Sequence, residues 1–170
     1  FGFVMGDYFK EPVLLIKTAW GGKSLYEDFR PPSSGGKVGP CYTQMVEEIR
    51  AALAELGDQK YEMAGFYWQQ GWNDMCTAPA IPEYAQNLVN LVGDLRKEFK
   101  APNMPVVVGE LGNGGPNGFA WIFAELNPLS RKSGRVRVAF AAISFGRSSS
   151  TAMNQSSAMR KMSGVWQRQQ

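Results

Sequence analysis

Three glycine-rich stretches hold most of the chemistry-bearing residues in this chain of 170 residues. They are Thr18-Ala19-Trp20-Gly21-Gly22-Lys23-Ser24, Gln69-Gln70-Gly71-Trp72-Asn73-Asp74 and Gly109-Glu110-Leu111-Gly112-Asn113-Gly114-Gly115. Each follows a short apolar run. In the second, the side-chain NH2 of Asn73 can donate to a developing oxyanion. In the first, Gly21 and Gly22 let backbone N–H groups approach a substrate, because glycine carries no Cβ. Together these donors would make an oxyanion hole. Asn73 and Asp74 equally suit an Asx-type turn, with the glycines serving tight geometry alone. The third stretch offers glycines for a phosphate cradle, yet lacks the G-x-x-x-x-G-K-[ST] order that nucleotide binding would use.

The residues around these loops narrow the chemistry. There is no histidine in the chain. That excludes a histidine base, a histidine metal ligand and a self-contained Ser-His-Asp triad. Ser24 lies beside the glycines but has no such partner, and Ser33 and Ser34 sit in a structural Pro/Gly context. Trp20, Tyr26 and Trp72 flank the loops and can stack on a sugar face, or simply pack. Trp68, within an apolar run, reads as core, and Glu110 as turn support. Cys41 and Cys76 form neither a disulfide framework nor a metal site. They either pair with each other or stay free. No metal or cofactor is implied.

The elements that must position these residues follow from periodicity. The continuous runs Val13-Leu14-Leu15-Ile16 and 104–108 suit strands buried on both faces, and 61–68 reads as another strand. A fourth strand is predicted over 136–140. Met45, Ile49, Leu53 and Leu56 recur at helical spacing after Pro40 and before Gly57. Tyr84, Leu88, Leu91, Leu95 and Phe99 mark a second helix, and 118–126 a third. The segment 18–40 reads as a long loop. Alternation of strand and helix is the signature of an α/β domain with a parallel sheet.

Charge divides the chain. Residues 1–130 carry 10 basic and 15 acidic groups, net −5, whereas 131–170 carry 8 basic groups and no acidic one. A basic, Ser-rich tail is therefore expected to follow an acidic body, with 1–140 as the domain and 141–170 as a disordered extension. The tail has few aromatics, so nucleic acid is not the expected partner. No apolar run is long enough for a membrane span. The compartment is left open.

VLLIKTAWGG (13–22), FYWQQGWND (66–74) and VVVGELGNGG (106–115), in that order, resemble the SGNH-hydrolase superfamily. More closely they resemble its sialate O-acetylesterase-like carbohydrate esterases. The resemblance implies a three-layer α/β fold, a parallel sheet flanked by helices in SGNH/flavodoxin-like fashion, missing its first strand and C-terminal part. It implies an ester hydrolase that removes acetyl groups from carbohydrate. Gly21 or Gly22 then matches the oxyanion glycine and Asn73 the oxyanion asparagine. Gly71 and Asp74 shape the loop, and Gln70, Trp20 and Trp72 face the substrate. The family's Gly-x-Ser nucleophile block is not found before Val13, nor its Asp-x-x-His block anywhere. The chain alone is accordingly expected to be inactive, and a non-catalytic carbohydrate-binding module is the alternative. One reading of the tail is that the end of the gene has been replaced or is read out of frame.

Overall fold

The computed structural model describes residues 2–109 and 136–145. Helix α1 (Gly2–Phe9) leads into strand β1 (Val13–Gly21), and helix α2 (Pro40–Ala54) into β2 (Tyr61–Gln69). The short helix α3 (Trp72–Met75) and then α4 (Tyr84–Glu98) precede β3 (Val106–Val108) and β4 (Val136–Phe145). The four strands form one parallel sheet in the order β1-β4-β2-β3.

The two main helices start and stop where local chemistry demands. Pro40 opens α2, where its missing N–H costs nothing, and Gly39 precedes it in extended conformation. Arg96 and Lys97 occupy the last turn of α4, where positive charge complements the helix dipole. Met45 and Ile49 from α2 and Leu91 and Leu95 from α4 turn to the same side, into a single buried cluster. Phe66, Trp68 and Val106 meet them from the sheet. Each fully buried leucine contributes about 2 kcal/mol of transfer free energy. Trp20, Phe29 and Trp68 stack edge to face in a chain, with centroids 5.4 and 5.2 Å apart.

Both helices thus cover one face of the sheet. On the opposite face Leu15 and Val107 are exposed among the described residues. The α/β class and the parallel sheet agree with the sequence reading.

Several expectations change in extent, among them β3, which starts at Val106 rather than 104, and α2, which ends at Ala54 rather than near Gly57. The first strand runs on to Gly21, so the long loop begins at Gly22 rather than Thr18. Alternation continues through Thr18 and Trp20, which face inward, and the ladder carries it to the end. The loop 22–39 is built on turns, with a 3-10 turn at Pro32–Ser34, and is tied down along its length. Arg30 does much of this, donating to the carbonyls of Tyr26, Ser34 and Gly35 and pairing with Glu83 at 3.0 Å. Finally, β4 continues to Phe145, beyond 140, because Ala141, Ala142 and Ile143 prolong its apolar run. The helix expected at 118–126 and the tail from 146 onward lie outside the described residues, as do Glu110 and the rest of the third glycine loop past Gly109.

The position of β4 is the topological feature of most consequence. A flavodoxin-like sheet has the order 2-1-3-4-5. Here the strand that comes last in the chain, β4, lies between β1 and β2.

Candidate active site

In a parallel sheet, ligands gather where the strands end at their carboxyl edge. Strand β1 delivers Gly21 and Gly22 there, and β2 delivers Gln70 to Asp74. Gly22 has φ +66° and Gly71 φ +152°, both in the region that favours glycine. The first reverses the chain out of β1. The second lets α3 start immediately after β2, which places Asn73 and Asp74 in its first turn.

These two turns are joined by side chains. Asn73 Nδ2 donates to the carbonyl of Gly22 at 2.5 Å. Gln70 Nε2 donates to the carbonyl of Lys23 at 2.9 Å and to Asp74 Oδ2 at 2.6 Å. Asp74 in turn accepts from the backbone N–H groups of Leu25, at 2.8 Å, and Tyr26, at 2.9 Å. Asp74 is only 1% exposed. Burial raises its pKa above the ordinary carboxylate value, and the donors from Gln70, Leu25 and Tyr26 pull it back. The carboxylate thus acts as a clip, holding the start of the β1 loop against the β2 turn.

Gln70 is buried too, and among the described residues no donor reaches its Oε1. Its backbone carbonyl accepts from Tyr84 Oη, whose hydroxyl also accepts from Trp68 Nε1. This buried network ties the end of β2 to the start of α4. Trp68 is therefore core, as its strand context indicated.

Of the aromatic candidates, Trp72 is 41% exposed beside Asn73, whereas Trp20 is half-buried against Phe29. Tyr26 carries the Arg30 guanidinium over its ring at 5.2 Å. Among the described residues nothing lies within 4 Å of a Cβ built on Gly21. Cys41, which is buried, and Cys76, which is exposed, are both free thiols. Among the described residues no cluster of Cys, Asp and Glu could hold a metal ion. No helix among them is long and apolar enough to cross a membrane.

One participant escapes a motif search. Asp28 accepts from Ser24 N and Ser24 Oγ and pairs with Lys23 at 3.0 Å, so it closes the turn after the glycines. Beside this carboxylate the Lys23 ammonium has its pKa raised. Ser24 Oγ also accepts from Glu27 N, which makes it a capping hydroxyl. The spacing Ser24-x-x-Glu27 is the local signal for that role.

Searches of curated proteins and of solved structures gave no match. A family profile described as "Carbohydrate esterase, sialic acid-specific acetylesterase" matches residues 3–150, a stretch that includes all four strands and both site turns. The chain belongs to this family of carbohydrate esterases, whose substrates are acetylated carbohydrates.

Proposed function

We propose that this chain carries the oxyanion-stabilising half of an acetylesterase that removes acetyl groups from carbohydrate. The observation that supports this best is the bond from Asn73 Nδ2 to the Gly22 carbonyl, which holds the two donor-bearing turns together. An amide NH2 has two hydrogens. One is spent on Gly22, and the other serves the substrate oxygen. The backbone N–H groups at Gly21 and Gly22 supply the second donor, stabilising the tetrahedral anion as charge develops. Trp72 and Trp20 offer a stacking face for the sugar ring, Gln70 supports the polar floor, and Gly71 and Asp74 keep the loop in shape. The exposed Leu15 and Val107 face is where the second helical layer of the expected three-layer fold belongs in this reading.

The reaction also needs a nucleophile and a base. With no histidine among its 170 residues, the chain does not itself supply the usual proton acceptor for a serine. The expected outcome is no appreciable hydrolysis of p-nitrophenyl acetate by this chain above the buffer rate. Hydrolysis that disappears in Asn73→Ala would overturn this and point to another nucleophile.

A second reading, carbohydrate binding without catalysis, is favoured by the exposure of Trp72 next to Asn73. It expects saturable quenching of tryptophan fluorescence by an acetylated sugar, lost in Trp72→Ala. A flat titration counts against it.

A further inference from the structure

Every ladder contact that binds β1 into the sheet passes through β4. Residues Val13–Gly21 pair with one edge of β4, and β2 pairs with the other edge from Tyr61 to Gln69. Strands β1 and β2 do not neighbour each other. The buried cluster, by contrast, already joins β1 to both helices and to β2 and β3, through Ile16, Met45, Leu91, Phe66 and Val106. Ala142 is the described side chain that β4 adds to it, at 0% exposure and in register with Thr18 and Trp68. The slot is therefore walled by two strand edges, each with N–H and C=O groups to satisfy. At position 142 its floor holds a small, fully buried side chain.

Chain order adds a second point. Strand β4 comes after β1, β2 and β3, yet it lies between β1 and β2. Its place is thus bounded by elements that precede it in the sequence. Main-chain ladders give affinity with little sequence demand, and alternate side chains give selectivity.

We propose that the slot between β1 and β2 is a strand-acceptor site for an extended, mainly apolar peptide of the β4 type. The peptide lies parallel to both walls, with a small residue where Ala142 sits. In the folded chain the occupant is the chain's own β4, and a peptide of the same sequence supplied separately takes the same place. Because β1 ends at Gly21 and β2 leads to Gln70, the occupant also sets the separation of the two site turns. The proposal stands independently of the catalytic reading.

The test uses the full chain with a protease site inserted between Gly114 and Gly115. After cleavage of the folded protein, the segment bearing Val136–Phe145 is held by non-covalent contacts alone. A fluorescein-labelled synthetic peptide, VRVAFAAISF, is added in excess, and the mixture is taken through mild denaturant and back. The expected result is saturable co-elution of the label with the cut protein, competed by unlabelled peptide. The uncut chain captures much less, because its own strand is present at high effective concentration. A peptide carrying Ala142→Trp is expected to bind at least about tenfold more weakly, since the floor has no room for the ring. Failure of the cut protein to capture the peptide overturns the proposal. Equal capture of a reversed-sequence peptide overturns it as well.

Discussion

Replacing Asp74 with alanine is expected to lower folding stability by about 4 kcal/mol. The cost does not come from an exposed ion pair, which would be worth little. It comes from three donors that lose their acceptor together. The N–H groups of Leu25 and Tyr26 and the Nε2 of Gln70 all converge on this one buried carboxylate. A buried donor left without a partner costs about 1–3 kcal/mol, and the three share one site, so the sum is less than additive. Asparagine at this position restores one acceptor oxygen but turns an NH2 toward the remaining donors. Asp74→Asn is therefore expected to fall between wild type and Asp74→Ala in urea unfolding. Both variants should also free the Gly22–Lys23 turn from the β2 turn, so the effect reaches the site as well as the fold.

The same carboxylate has a pH signature. Its folded pKa is raised, mainly by burial, so the folded state binds the proton at higher pH than the unfolded chain does. Stability linked to Asp74 is then fully present below the unfolded value of about 3.9 and is lost as pH rises through the folded value. Between those two values wild type should gain stability on acidification relative to Asp74→Asn. Thermal unfolding of both proteins across that window measures the difference. A wild-type curve parallel to that of Asp74→Asn would contradict the assignment.

Gly39→Ala is the other substitution with a large expected effect. The reason is close approach and not unusual backbone rotation, since Gly39 has φ −69°. A Cβ at this position would lie 2.1 Å from the Asp28 carbonyl oxygen and 2.6 Å from Arg30 N. Both are backbone atoms, and neither can swing aside. Gly39 N itself donates to the Arg30 carbonyl, and the Asp28 carbonyl accepts from Cys41 N and Tyr42 N. The first turn of α2 is thus seated directly on the main chain of the β1 loop. The methyl group must push the two apart, at a cost of about 3 kcal/mol or a fall in Tm of roughly 6–12 °C. Differential scanning calorimetry checks it, and a change of less than about 2 °C would show that the helix start can shift freely.

These two cases also show where reading the residues succeeds and where it stops. Asp74 was recognisable as a loop-shaping residue from its place in the G-x-N-D turn. Its backbone partners at Leu25 and Tyr26, 49 and 48 residues earlier, were not, because no local pattern records a partner so distant in the chain. Pro40 marked the start of α2 through its own fixed φ, whereas the need for glycine at 39 arises only once α2 meets 28–30. The helices α2 and α4 were legible because their apolar stripes repeat at helical spacing. The extent of β1 was hidden by Gly21 and Gly22, which made its last residues look like loop. The insertion of β4 between β1 and β2 had no local signal at all, since strand order is settled by pairing and not by periodicity.

Within the site, sequence order alone brought Asn73 and the Gly21-Gly22 pair to the carboxyl ends of two strands. What it left open was whether the two turns touch. They do, through Asn73 and the Gly22 carbonyl and through Gln70 and the Lys23 carbonyl. Trp72 and Trp20, equivalent as flanking aromatics, separate once burial is known. Trp72, next to Asn73 in the chain, is exposed, while Trp20 is engaged with Phe29.

The central claim is that the Gly21-Gly22 turn and Asn73 form one donor site for an acetylated carbohydrate. A proton–nitrogen NMR titration of the labelled chain with an O-acetylated sialic acid tests it most directly. The expected result is saturable shifts of the Asn73 side-chain amide and of the Gly21 and Gly22 backbone amides together, with a single dissociation constant. Unchanged signals at these three residues, under sugar concentrations that move others elsewhere on the sheet, would contradict it.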